Sequence, residues 1–222
     1  DYRMFFGEDN PQLLAFEKMQ KTFNKNDNIL FVITPQSGKV FNRETLTVIK
    51  DITKEAWQIP FSTRVDSITN YQHTSAEEDD LIVDDLVVDP DSLSDSDLLK
   101  IQSIAINEPM LVNRLVSPDS KYAGVNVTVQ LPGKALDEVP VAVAFARNLK
   151  QQMLEKYPNI EIRLVGMAVM NNAFPEASKD DVASLYPLAL GFIILTLFLL
   201  LRGLSGTFAT FIMIIFSILT AM

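Results

Sequence analysis

Cysteine is absent, histidine and tryptophan occur once each (His73 and Trp57), and 19 Lys and Arg face 28 Asp and Glu. Without thiols there is no disulfide framework and no thiolate site, although that absence names no compartment. A net charge of −9 excludes the basic face that phosphate backbones require, so nucleic acid is not an expected partner. A catalytic His73 would need a nucleophile or an acid partner, and no motif supplies one. No nucleophile, metal or phosphate motif stands out, so no enzyme activity, metal or cofactor is expected. No signal peptide opens the chain. Asp1, Tyr2 and Arg3 lead directly into globular-looking sequence, which predicts a chain that begins within a longer protein.

Charge is also missing from one end. Residues 182–222 carry a single charge, Arg202, whereas the rest of the chain carries all the acids. A soluble domain rarely shows that asymmetry, which divides the chain near Asp181. Leu185 to Leu201 is an uncharged run of 17 residues, extended upstream to Ser184. At about 1.5 Å per residue, about 20 helical residues cross a hydrocarbon core of about 30 Å. A membrane helix is therefore predicted over 184–201, with Pro187 bending or kinking its start. Residues 202–206 form a short turn, and 207–222 read as a second, truncated span. The alternative, a helical hairpin buried in a large soluble core, would keep a polar stripe that these segments lack. Arg202 serves as topology marker: a positive turn favours the cytoplasmic side and puts the acidic domain outside.

The charged part is long enough for one sizeable domain. Asn10 and Pro11 open a first helix, with Leu13, Phe16, Met19 and Phe23 on one face. Ile29 to Ile33, ended by Thr34 and Pro35, suits a central strand buried on both faces. A second helix is expected from Arg43 to Gln58, with Val48, Ile52 and Ala56 inward, then a strand from Val65 to Tyr71. Further elements are a strand from Leu81 to Val88, a helix from Asp95 to Asn107 and a hairpin over Arg114 to Gln130, turning at Pro118 to Lys121. Strict alternation marks Val125 to Leu131 as a half-buried strand. A helix from Asp137 to Tyr157 follows, with Val141, Phe145, Leu149 and Met153 at successive i+4 positions. The strand Ile160 to Leu164 ends at Gly166.

Two β-α-β units result. They imply an α+β fold, a ferredoxin-like split β-α-β domain with helices on one face of the sheet and a helix-and-strand insertion, followed by transmembrane helices. The expected organisation is a linker and helix over 1–27, leading from a missing first span, and a porter-like domain over 28–166, with the insertion at about 74–121. A connecting neck over 167–183 leads to the span over 184–201.

These features resemble the resistance-nodulation-division (RND) superfamily, in its MMPL-like or predicted-exporter branch. The likeness is carried by Phe5-Phe6-Gly7-Glu8-Asp9-Asn10-Pro11 and the Phe16 to Phe23 helix. It continues in Val65-Asp66-Ser67-Ile68-Thr69, the acidic patch from Glu77 to Asp85, and Asn107-Glu108-Pro109. Leu115-Val116-Ser117-Pro118-Asp119, Leu164-Val165-Gly166 and the Arg202 turn complete it. Order and spacing carry the resemblance, since each motif alone is weak. It implies a multi-pass protein of the bacterial inner membrane that exports lipophilic or amphipathic compounds, such as lipids, hopanoid-like or drug-like molecules, at the expense of proton entry. The large domain would be periplasmic. Implied partners are the lipid bilayer, a lipophilic substrate, the remainder of the same polypeptide and further copies in a homo-oligomer. The family's proton-relay acids lie in a fourth span, outside this chain. Two alternatives stand beside it: an extracytoplasmic ligand-binding domain of a sensory receptor, and an RND-type subunit of the protein-translocation machinery. A second apolar run five residues after the first disfavours the receptor.

Met167, Met170 and Phe174 lie between the last strand and the span. They are the candidates for a substrate path, since thioether surfaces adapt to varied apolar ligands; packing of a connecting helix is the plainer account. Glu77 to Asp97 holds ten acids and no Lys or Arg. A calcium loop would need a Gly and a Glu that Asp89 to Asp97 lacks, so a solvated loop with a helix cap at Ser94, Asp95 and Asp97 is expected. Trp57 is expected in the core or in a subunit contact. Asp180 and Asp181 mark the water side of the span.

Overall fold

The computed structural model describes residue 7 and residues 9–23, 27–77, 80–135, 137–201 and 204–221. The chain falls into two compact units, Asp1–Asn172 and Ala173–Met222.

The first unit is built on a four-stranded antiparallel sheet. Its strands are β1 (Asp27–Pro35), β2 (Ser62–Asp66), β5 (Ala123–Val129) and β6 (Ile160–Val165), in the order β2-β5-β1-β6. Helix α2 (Arg43–Ala56) joins β1 to β2, and α4 (Glu138–Lys156) joins β5 to β6. Neither pair of joined strands is adjacent, because a strand of the other pair lies between its members. Both helices pack against the sheet and against each other, so they share one of its faces.

Cross-strand register shows how the core is filled. Ile29 faces Val127, Phe31 lies between Val125 and Leu164, and Ile33 lies between Ala123 and Ile162. These side chains are buried or nearly so, and Val65 extends the Ile29 row. From the helix side, Val48, Ile52 and Ala56 of α2 are fully buried, as their spacing requires. Leu30 and Val32 point to the other face, where they are only half covered, so β1 is not buried on both faces. The reason is that both helices lie on one side, leaving the opposite side with Asn28, Arg64, Asp66, Asn126, Thr128 and Arg163.

Helix α4 departs from its expected stripe. Leu149 and Met153 are buried, but Val141 and Phe145 are exposed, and Ala142, Val143 and Ala146 meet the core instead. The inward stripe is instead Ala142, Ala146, Leu149 and Met153, at i, i+4, i+7 and i+11. Helix α1 (Pro11–Phe23) starts as expected, with the Asn10 side chain accepting from the N–H groups of Gln12 and Leu13 at 3.0 and 3.1 Å. On its apolar face Leu13 is buried, while Phe16 and Met19 are exposed. Trp57 is likewise exposed rather than part of the core.

Strand β2 ends at Asp66 instead of continuing to Tyr71. Ser67, Thr69 and Asn70 bond one another and nearby backbone groups, offering the chain a turn in place of a ladder. The expected Leu81 to Val88 strand is β4 (Asp80–Asp85), paired with an unforeseen β3 (Gln72–Glu77) in a separate two-stranded sheet. A 3-10 turn at Pro90–Ser92 leads to α3 (Asp95–Asn107), which buries Leu98, Ile101 and Ala105. The expected Arg114 to Gln130 hairpin has only one true strand. Its first arm is reduced to a bridge between Val116 and Ala123, around the turn in which the Ser117 N–H donates to the Tyr122 carbonyl at 3.0 Å.

The second unit is helical. Helix α5 (Met167–Leu201) begins in the first unit and runs through Pro175 and Pro187; α6 (Leu204–Ala221) follows. Among the described residues, one helix is long and apolar enough to cross a membrane. It spans Met167–Leu200, with mean hydropathy 2.2 over its most apolar 18 residues, none of them buried. Hydroxyls in these helices bond back within their own helix: Thr196 to the Phe192 carbonyl at 2.8 Å and Thr210 to that of Gly206 at 2.9 Å. Such self-satisfaction is what an environment without water demands. The Arg202 topology marker lies outside the described residues.

Truncating Phe31 to Ala, at the centre of the buried face, is expected to cost about 3–5 kcal/mol. Urea unfolding of the detergent-solubilised chain, followed by fluorescence of its one tryptophan, Trp57, would measure this.

Candidate functional site

The three substrate-path candidates sit on the opening of α5, and the start of that helix is tightly specified. Gly166 takes φ +115°, a conformation side chains rarely adopt, and turns β6 into the helix. A Cβ there would stand 2.5 Å from the backbone oxygen of Asn28. The Asn28 side chain accepts from the Met167 N–H at 3.1 Å and donates to Asn126 Oδ1 at 3.0 Å. The Met170 N–H closes the first helical turn on the Gly166 carbonyl at 3.0 Å. Strands β1 and β5 thus fix the first residues of α5.

On that helix Ala168 is fully buried and Asn172 is 4% exposed, one turn apart. Met167 and Met170, at 46% and 49%, turn to solvent, and Phe174 is 69% exposed. Their i, i+3 and i+7 spacing puts them along one side of α5. All three are large apolar side chains left exposed on this chain.

The acidic tract has a structural use. Ser94 caps α3 in a reciprocal box: its hydroxyl accepts from the Asp97 N–H at 3.2 Å, and the Asp97 carboxylate accepts from the Ser94 N–H at 2.9 Å. The Ser94 hydroxyl, which also donates to the Asp97 carboxylate at 2.6 Å, and the Ser94 N–H hold the Asp97 carboxyl below its usual range. Asp95 pairs with Arg43 at 2.8 Å, tying α3 to the start of α2. Among the described residues no three His, Asp or Glu side chains converge as a cation would require. His73 lies on β3 opposite Asp84, in a cavity of about 330 Å³ that also touches Ser75, Asp97 and Lys100.

Two polar clusters were not foreseen. Burial pushes the Asp51 carboxyl up, but hydrogen bonds from Lys156 Nζ at 2.6 Å and Tyr157 Oη at 2.7 Å outweigh it and hold it below its ordinary value. The same contacts raise Lys156. They bridge α2 to the end of α4. Glu138, in the first turn of α4, accepts from the N–H groups of Gly133, Lys134 and Ala135 at 2.7, 2.8 and 3.0 Å. Its burial raises the carboxyl, and the three donors more than compensate and lower it. Sequence spacing alone could have suggested only the Glu138 cap, as an acid in a first helical turn.

An α/β domain whose last strand runs directly into an apolar, unburied helix of bilayer-spanning length fits a membrane protein. The MMPL family model matches residues 5–222, and the chain belongs to that family, whose members are RND-type membrane transporters. None of the curated proteins compared matches the chain.

Two outcomes follow from this geometry. Gly166→Ala is expected to destabilise the chain by roughly 1–3 kcal/mol or more, through backbone strain and the clash with Asn28, read by the same urea titration. Because the Glu138 carboxyl is lowered on folding, its stabilisation is present above the ordinary value of 4.5 and lost as pH falls through the folded value. Glu138→Gln is therefore expected to lower stability at pH 7 and to flatten the fall in stability between pH 7 and acid, measured as urea midpoints across pH.

Proposed function

We propose that the chain forms part of a proton-driven exporter of lipophilic or amphipathic compounds in the bacterial inner membrane. The observation that carries this reading is membership of a transporter family over nearly the full chain, joined to a helix that leaves its apolar surface unburied. The strand order β2-β5-β1-β6, with two helix-joined strand pairs interleaved, supports a ferredoxin-like split β-α-β porter domain. On this reading residues 28–166 are the porter-like domain, with an insertion at about 74–121 and a neck over 167–183. The domain faces the periplasm, and the Arg202 turn lies in the cytoplasm.

Met167, Met170 and Phe174 then form the wall along which substrate leaves the bilayer. Their exposure on this chain leaves them available to such a substrate. The proton relay belongs to further spans of the same polypeptide, and copies of the protein assemble into a homo-oligomer. No cofactor is required. Lipids, hopanoid-like and drug-like molecules share the chemistry such a path would take.

The chain's lack of cysteine makes topology directly testable. In spheroplasts carrying single-cysteine variants, a membrane-impermeant maleimide is expected to label Ser96→Cys at once and Ser205→Cys only after permeabilisation. The reverse pattern would remove the periplasmic assignment. In the full transporter, Met170→Glu is expected to depress export of an amphipathic dye while leaving protein abundance intact. An unchanged export rate would remove these residues from the substrate path.

A further inference from the structure

Helices α2 and α4 cover one face of the four-stranded sheet. On the other face an open cavity of about 250 Å³ lies between β1, β5 and the segment that leads into β5. Leu30, Val32, Leu115, Pro118 and Tyr122 give it an apolar lining. Gly124 leaves its floor bare: a Cβ there would stand 3.0 Å from Leu30 Cδ1 and 3.7 Å from Leu115 Cα. Glycine weakens a strand, and within one it often marks the close approach of a ligand or another backbone. Val165, 45% exposed and directly opposite Leu30, continues the apolar strip toward Gly166 and the start of α5.

The charges around this cavity cancel except at one residue. Arg64 pairs with Asp66 and Arg163 with Glu161, each at 2.7 Å, and Lys121 pairs with Asp119 at 3.2 Å. Arg114 is exposed at the cavity's edge, and among the described residues its side chain is in no ion pair or hydrogen bond. One unmatched guanidinium beside an apolar cavity, on a chain of net charge −9, suits an apolar ligand that carries negative charge. A phosphate monoester carries about −1.5 to −2 and would be only partly matched by a single Arg. A carboxylate is matched in charge and accepts both arms of the guanidinium fork. The volume lies below the roughly 300–1,000 Å³ of drug-sized sites, which favours one flexible chain over a fused-ring skeleton. We propose that this cavity binds a fatty acid, with its chain over Leu30, Val32 and Tyr122 and its carboxylate on Arg114. The inference deepens the exporter reading, from which it takes the bilayer as the source of the ligand.

The test uses the full-length protein in phosphatidylcholine nanodiscs, without a proton gradient. A diazirine-bearing twelve-carbon fatty acid labels it, and the adducts are mapped by peptide mass spectrometry. Labelling is expected in the peptides that hold Leu30, Val32 and the Arg114 to Tyr122 segment. Dodecanoate should displace the label better than dodecanol, dodecyl phosphate or dodecyltrimethylammonium. Arg114→Gln should weaken dodecanoate binding about tenfold and leave that of dodecanol unchanged. Gly124→Val should exclude the acid by filling the floor; if it fails to accumulate, Val32→Phe on the same open face takes its place. The proposal is overturned by labelling only elsewhere, by any of the three other competitors matching dodecanoate, or by normal dodecanoate binding in Arg114→Gln. The expected binding pattern in a protein that exports nothing would support the proposal and remove the exporter reading alone.

Discussion

The close approach of Gly166 to Asn28 is the constraint on which the rest of the architecture turns. A strand and a helix can be joined by many loops, but here the strand ends and the helix begins at one residue, with φ +115° and no room for a Cβ. Asn28 closes the junction from both sides: its backbone oxygen fills the space a side chain would need, and its side chain holds the Met167 N–H. Because Asn28 belongs to the central strand β1 and bonds Asn126 of β5, the opening turn of α5 is referenced to the middle of the sheet. Which side chains that turn exposes is set by backbone geometry, not by the side chains themselves.

Elements whose signal lies in local periodicity were legible in the sequence. Helix α2 buries Val48, Ile52 and Ala56, α3 buries Leu98, Ile101 and Ala105, and the caps at Asn10 and Ser94 are where side-chain chemistry put them. Gly166 was legible as the end of β6. What it does there was not, because the reason is a contact with a residue 138 positions away. The errors have the same origin. Val141 and Phe145 carry a good helical stripe, yet the helix turns the neighbouring stripe of Ala142 and Ala146 to the core instead. Leu30 and Val32 sit in a continuous apolar run, yet both helices chose the other face of the sheet. The Asp51–Lys156–Tyr157 cluster joins residues more than a hundred positions apart, and no spacing rule reaches it.

The candidate path residues were nameable as a group, since two methionines and a phenylalanine between a strand and an apolar run are visible in one dimension. Their exposure on this chain was not. The acidic tract shows the opposite case. In sequence it is one block of ten acids. In three dimensions it divides: Asp95 and Asp97 are engaged in an ion pair and a helix cap, while Asp80, Asp84 and Asp85 remain on the hairpin.

The two prolines of α5 have unequal consequences. Each lacks an N–H, so the carbonyl four residues earlier loses its helical donor: Asn171 for Pro175 and Ala183 for Pro187. Ala183 lies two residues past Asp181, the last charged side chain before the apolar stretch. An orphaned oxygen there can be hydrated, whereas the same vacancy ten residues deeper would face hydrocarbon alone. On the exporter reading the turn loosened by Pro187 lies at the water's edge, and no proline interrupts the apolar ladder beyond it.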